Sequence, residues 1–373
     1  MTLKVLIAPQ EFKGTLTALQ AGQAIMRGFT SVHDQAEVDV VPLADGGAGT
    51  VDVLLTAGDG EERFTRVTDP MGRPVHARWG LLDGGKTAVI EMAAASGLAL
   101  VQKADRDPMT AHTYGTGELI LAALDAGARR ILIGAGGSAT CDGGVGAASA
   151  LGVAFLDDKG AHLPLGPRHL ARLKKIDKSG LDPRLAGATL EVLTDVRNPL
   201  LGEEGSARIY APQKGADHDD IERLDTLLHQ LARISRETSG EAFEQEAGSG
   251  AAGGLAFGLR AFCGGQLRRG FDVISEALGL FTKVNECDLV LTGEGQLDPQ
   301  TAYFKGPYAL GRLARMQKKR VVIFAGAVHG GSSGVRDAFD EVVAVSRGNR
   351  LDPARAGVDL EEAVARWAIR QSK

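Results

Sequence analysis

The sequence predicts an α/β fold in two domains: a doubly wound, mostly parallel sheet domain formed by both chain ends, with a second α/β domain inserted between them. Three observations predict it. Short apolar runs alternate with helix-period segments at both ends of the chain, and each run empties into a loop of glycines and acids. The middle carries strands of a different pattern. A length of 373 residues also favours two domains over one.

The first element is the apolar run Leu3-Lys4-Val5-Leu6-Ile7-Ala8, followed by the loop Pro9 to Gly14. Residues 15 to 29 then show helical spacing, with Thr17 and Gln20 placed as a capping box. A second strand is expected at Glu37 to Pro42, feeding A-D-G-G-A-G-T and a helix from about Val51. Near the other end, Asp288 to Thr292 runs into G-E-G-Q-L-D, and a helix follows from about Tyr308 to Gln317. Arg320 to Phe324 then runs into A-G-A-V-H-G-G, with a last helix from about Leu360. Between these ends, residues 64 to 92 alternate as strands around polar turns. Residues 130 to 156 read as strand, glycine loop, helix and strand, and 217 to 237 as a charged amphipathic helix. The boundaries expected are 1–69 plus 287–373 for the discontinuous domain and 70–286 for the insert.

The totals exclude several classes. A net charge of −5 does not advertise a nucleic-acid or acidic-membrane partner, so an anionic ligand needs local cations. Cys141, Cys263 and Cys287 are too few and too scattered for a disulfide framework or a zinc site, and read as thiols of a reducing compartment. No signal peptide and no apolar stretch of about 18 residues is evident, which points to a cytoplasmic protein. No H-E-x-x-H occurs. The 50 glycines imply many tight turns, and make any single glycine motif cheap to find by chance.

In open α/β sheets ligands lie beyond the carboxyl ends of the strands. Loops there hold Lys13, Gly14 and Thr15; Asp45, Gly46, Gly47 and Gly49; and Gly293, Glu294, Gly295 and Asp298, followed by Gln300, Thr301 and Lys305. Glycines let backbone approach phosphate, and carboxylates can hold Mg²⁺ or accept a hydroxyl proton. A fourth loop runs from Gly134 through Gly136, Gly137, Ser138, Cys141, Asp142, Gly143 and Gly144. Its G-A-G-G-S-A matches a relaxed dinucleotide pattern, with Asp157 closing the next strand, so an NAD-dependent oxidoreductase is a rival reading. Asp142, Gly143 and Gly144 interrupt the helix that pyrophosphate would need. A fifth candidate is the strand ending at Asp195, before Asn198-Pro199. P-Q-K-G at 212 to 215 adds a lysine, and G-S-G-A-A-G-G at 248 to 254 a further flexible loop.

Residues 80 to 87, G-L-L-D-G-G-K-T, spell a Walker-type P-loop. The preceding V-H-A-R-W alternates as a half-exposed strand, and Asp83-Gly84 is a hairpin signal. A turn is expected there.

Together these loops resemble the bacterial glycerate kinases that form 2-phosphoglycerate. The matching pieces are A-P-Q-E-F-K-G-T (8–15), P-L-A-D-G-G-A-G-T (42–50), V-T-D-P-M-G (67–72), E-M-A-A-A-S-G-L (91–98) and Y-G-T-G-E-L-I (114–120). They continue with G-G-S-A-T-C-D-G-G-V-G (136–146), D-V-R-N-P-L (195–200), P-Q-K-G-A (212–216), G-A-A-G-G-L (250–255) and L-T-G-E-G-Q-L-D-P-Q-T (291–301). The resemblance implies two α/β domains with a cleft, and transfer of the ATP γ-phosphoryl to a hydroxyl of D-glycerate with Mg²⁺. It also implies no Walker loop. The chain departs from the family at Gln10, Glu11, Ala48, Thr194 and Phe304.

On this footing Lys13 and the Gly14–Thr15 backbone would bind an anion. Asp45, Asp195 and Asp298 would accept the hydroxyl proton or hold Mg²⁺, with Asp195 and Asp298 as the metal candidates. Lys305 would neutralise the transferring group. Gly136, Gly137, Ser138, Asp142, Gly143, Gly144, Gly293 and Gly295 would line the nucleotide. A non-catalytic nucleotide or sugar-acid binder of the same fold is the third reading, and homo-oligomer formation stays open.

Overall fold

The structure, a computed structural model, describes residues 2–12, 14–297, 306–329, 333–346 and 351–372. Two compact units emerge, Met1–Asp45 with Phe271–Lys373, and Gly46–Gly270.

The first unit holds a five-stranded, all-parallel sheet in the order β13-β12-β11-β1-β2. Its strands are β1 (Lys4–Ile7), β2 (Glu37–Val40), β11 (Leu289–Leu297), β12 (Arg320–Val328) and β13 (Glu341–Ala344). Val5, Leu6 and Ile7 are buried, as expected of a strand covered on both faces. The helices Ala18–Thr30 and Ala356–Gln371 share one core through Phe29, Val364 and Trp367. Gly28 permits that approach, because a Cβ there would overlap the Glu361 carbonyl. The capping box forms as read: Gln20 N–H donates to Thr17 Oγ1 at 3.2 Å and Thr17 N–H to Gln20 Oε1 at 2.9 Å.

The second unit holds a six-stranded mixed sheet in the order β10-β9-β6-β5-β4-β3. These are β3 (Glu61–Thr68), β4 (Pro74–Leu82), β5 (Thr87–Glu91), β6 (Arg130–Gly134), β9 (Thr189–Leu193) and β10 (Gln266–Arg268). β10, β9, β6 and β5 run parallel, whereas β4 and β3 are antiparallel additions. β7 (Ala154–Leu156) and β8 (Lys175–Asp177) form a separate antiparallel pair. The expected helix at 217 to 237 spans His218–Ser239, with Asp217 as its cap.

The two divisions fall at 45/46 and 270/271, earlier in the chain than the 69/70 and 286/287 expected. β3 is hydrogen-bonded along its length to β4, which draws residues 61–68 into the second sheet. At the other end, Lys283 pairs with Asp39 at 2.7 Å, tying 271–286 to the first unit. β11 also outruns the strand expected at 288–292: Gly293, Glu294 and Gly295 are strand residues, with Gly293 opposite Phe324 and Glu294 opposite Ala325 on β12. Pairing with Phe324, Ala325 and Ala327 of β12 carries the ladder through these glycines.

The stretch G-L-L-D-G-G-K-T is a hairpin turn. β4 and β5 pair as Leu82 opposite Thr87, and Thr87 Oγ1 donates to Asp83 Oδ2 at 2.6 Å. Thr87 continues as strand, and Lys86 is exposed.

Candidate active site

In the first sheet the chain leaves β1 toward β2 on one side and builds β11, β12 and β13 on the other, so the order reverses between β1 and β11. Such a switch point opens a crevice at the strands' carboxyl ends. Gln10 occupies it. Its N–H donates to the Gly293 carbonyl at 2.9 Å, and its side-chain Nε2 donates to Asp45 Oδ2 at 2.6 Å. Leu43 N–H donates to the Pro9 carbonyl at 2.8 Å, which holds the approach to Asp45 alongside the β1 tip. Thr292 Oγ1 donates to the Ala8 carbonyl at 2.6 Å.

Gln10 is 8% exposed, and its Oε1 finds no donor among the described residues. A Cβ built on Gly306 would stand 3.2 Å from that oxygen, so glycine keeps space beside it. Glu294 is likewise buried. This tip therefore joins an anchored carboxylate to an acceptor that lacks a donor among the described residues. Gly293 has a packing duty as well: its missing side chain accommodates the buried Phe12 ring, whose Cζ would lie 3.1 Å from a Cβ.

In the second unit the tips of β5, β6 and β9 meet the Gly46–Gly47 turn. Gly136 N–H donates to the Gly46 carbonyl at 3.2 Å, and a Cβ on Gly136 would stand 2.6 Å from the Gly47 Cα. Gly46, with φ +86°, lies against the Leu193 carbonyl at the end of β9, where a Cβ would come within 2.7 Å. Glu91 at the end of β5 accepts from Val51 N–H at 2.9 Å, placing a carboxylate at the start of helix Thr50–Ala57. Burial pushes the Glu91 carboxyl up from its ordinary range. Asp195 sits half-buried two residues past β9.

Beneath this tip runs a buried polar layer. Lys214, 2% exposed, donates through Nζ to Ser138 Oγ at 2.8 Å and to the Thr140 carbonyl at 2.7 Å. Burial lowers its amine below the usual lysine range, with Cys141 and Asp142 pulling the other way. Asp142, 1% exposed, accepts from Thr113 N–H and Oγ1, each at 2.8 Å, from Gly144 N–H at 3.1 Å and from Gly146 N–H at 3.0 Å. A carboxylate with four internal donors is committed to shaping its loop.

Of the sequence-predicted residues, Gln10's loop, Asp45 and Gly293 come together in the first unit. Gly46, Gly136, Gly137 and Ser138 do so in the second. Gly136 is half-buried and Gly137 exposed, so this segment keeps surface for a ligand. Gly143 and Gly144 do not. They are buried, and their N–H groups already donate to the Gly253 carbonyl at 3.0 Å and to Asp142. A phosphate cradle at 143–144, with Asp142 as a ligand, is replaced by a packed turn against Leu231, Leu255 and Gly258. Gly295 lies within β11. Lys13, Asp298, Gln300, Thr301, Phe304 and Lys305 lie outside the described residues.

The dinucleotide reading loses its acid. Asp157 follows β7, which pairs with β8 and not with β6. Its carboxylate accepts from Lys159 and Ala161 N–H, both at 2.9 Å, and from Arg172 at 2.6 Å. Sequence reasoning missed Gln10 as the partner of Asp45, and Glu91 and Lys214 as anchors. Glu91 and Lys214 precede glycine- or alanine-containing segments, but only long-range contacts give any of the three a task.

Among the described residues no helix is long and apolar enough to cross a membrane. Residues 5–367 match the model of the glycerate kinase family. The chain is 45% identical over 333 residues to a glycerate kinase of Bacillus subtilis (strain 168), covering 89% of this chain and 87% of that protein. It is 44% identical over 326 residues to a glycerate 2-kinase of Escherichia coli (strain K12), covering 87% and 86%. A crystal structure of a protein assigned as glycerate kinase 2 from Salmonella typhimurium LT2 superposes with a TM-score of 0.86 at 40% identity, over 100% of this chain and 98% of that one. With a family match over almost its whole length and a shared mixed α/β architecture, this chain belongs to the glycerate kinase family and is a phosphotransferase.

Proposed function

We propose that this kinase works in the cytoplasm and transfers the γ-phosphoryl group of ATP to a hydroxyl of D-glycerate, giving 2-phosphoglycerate and ADP. The relatives named glycerate kinase and glycerate 2-kinase support the acceptor and the product. The observation that carries the reading is the anchored Asp45 at the switch point, held by Gln10 across 2.6 Å. A carboxylate oriented by an amide donor suits acceptance of the hydroxyl proton as the oxygen attacks phosphorus. The Gln10 Oε1 then offers an acceptor to the substrate side.

Phosphoryl transfer asks a protein for alignment and charge neutralisation more than for covalent chemistry. The surface segment Gly136–Gly137, buttressed by Lys214 through Ser138 and Thr140, suits backbone contact with nucleotide phosphates. Lys13 and Lys305 are assigned to the anionic groups, on the sequence alone. Among the described residues no three His, Cys, Asp or Glu side chains gather as a metal cage. Mg²⁺ usually takes one or two carboxylates and otherwise rides on phosphate oxygens. Asp195 and Asp298 are the proposed carboxylates, and the ion would supply charge neutralisation on the phosphates.

A coupled kinase assay with D-glycerate and ATP·Mg²⁺, its product position read by phosphorus NMR, tests this reading. ADP formation that depends on D-glycerate, with a phosphorus signal on the 2-oxygen, is expected. Phosphorylation at the 3-oxygen would overturn the assigned product, and glycerate-independent turnover the assigned acceptor.

A further inference from the structure

β3 is the outer strand of the second sheet, and it presents a bare edge. The Asp69 N–H donates to the Arg73 carbonyl at 2.6 Å, so the odd-numbered residues of this strand face β4. Thr68 N–H points the other way, to Glu118 at 2.6 Å. By the alternation of strand backbone, the N–H and C=O groups of Glu62, Phe64 and Arg66 then point outward from the sheet. Helix Tyr114–Asp125 fills the edge at Thr68, where a Cβ on Gly115 would overlap the Thr68 carbonyl. From Glu62 to Arg66 nothing among the described residues hydrogen-bonds to this edge.

The side chains there are equally uncovered. Phe64 is 62% exposed, while Thr65 and Val67 turn to the inner face with Trp79. Glu62, Phe64 and Arg66 share the opposite face. On it a row of alternating charge runs Asp52, Arg78, Glu62: Arg78 is paired with Asp52 at 2.7 Å and also with Glu62. Arg66 finds no acid within ion-pair distance among the described residues.

We infer that this edge is a self-association surface whose partner is a second copy of the chain, joined by antiparallel β3–β3 pairing centred on Phe64. An antiparallel two-fold can join the edge only where outward-pointing residues oppose one another. Centred on Glu62 or on Arg66 it opposes like charges. Centred between them and Phe64, it sets a charge against the ring. Centred on Phe64, it stacks Phe64 on the partner's Phe64 and sets Glu62 against the partner's Arg66 on both sides. One register therefore satisfies the backbone, the ring and the charges together. It also extends the row Asp52–Arg78–Glu62 by the cation it lacks. Exposed charges on a strand edge ordinarily discourage pairing. Here the same charges discourage every register but one.

Sedimentation equilibrium of the full chain, up to several hundred micromolar, tests this. Wild type is expected to show a reversible dimer. Arg66→Glu and Glu62→Arg, each alone, bring like charges together twice and should weaken it about tenfold or more. An equimolar mixture of those two variants restores both unlike pairs, and should dimerise where neither variant does alone. Phe64→Lys should abolish association. Kinase activity and circular dichroism of each variant report that the fold is retained. A wild type that stays monomeric throughout, or variants that dimerise as wild type does, or a mixture that fails to associate, would each overturn the inference.

Discussion

The Gln10 amide donates to Asp45 Oδ2 across 2.6 Å, joining a residue just after β1 to one thirty-five positions later. Gln10 cannot ionise, so what it offers Asp45 is a dipole and not a charge. Replacing Gln10 by Glu would set two carboxylates within hydrogen-bond distance, which can share one proton but resist both ionising. The acid limb of kcat/KM should then move upward by about one pH unit or more. An unmoved limb would remove Asp45 from the role of base.

Lys86 lies in an exposed turn between antiparallel strands. If the Walker-like spelling has no phosphate duty, Lys86→Ala should leave kcat and the nucleotide KM within about twofold of wild type. A large rise in the nucleotide KM would restore residues 80 to 87 as a phosphate site.

Asp142 answers four donors inside the fold. In Asp142→Asn an amide N–H₂ meets groups that themselves donate, and the charge assistance is lost. Urea unfolding should show destabilisation of roughly 2–3 kcal/mol. Unchanged stability with a weakened nucleotide KM would instead make Asp142 a ligand contact.

Burial lowers the His112 imidazole below its ordinary value of 6.5, and the nearby carboxylates of Asp142 and Asp69 oppose this only in part. The unfolded chain therefore takes up a proton that the folded chain resists. Stability from this residue is complete above pH 6.5 and is lost as the pH falls through the lowered folded value. Chemical denaturation of wild type against His112→Gln between pH 7.5 and about 5 should show their difference shrinking or reversing toward acid. A difference constant with pH would assign the loss to other groups.

Local chemistry made much of this legible in sequence. The Thr17–Gln20 cap, the turn at Asp83–Gly85 and the helix after Asp217 depend on neighbours a few positions apart, so pattern alone specifies them. The reach of β11 was not legible. Gly293 and Gly295 read as loop residues in isolation, and only pairing with β12 and the Phe12 ring over Gly293 make them strand.

The sequence by itself determined an α/β chain of the glycerate kinase family, because apolar period and ordered motifs are properties of the linear string. Which glycines reach the surface and which fill a core was decided by tertiary structure alone. Gly137 reaches the surface while Gly143 and Gly144, six and seven residues on, spend their N–H groups inside the protein. The same holds for Gln10, Glu91 and Lys214. A hydrogen bond between residues tens of positions apart exists only once folding brings them together, and no local pattern records it.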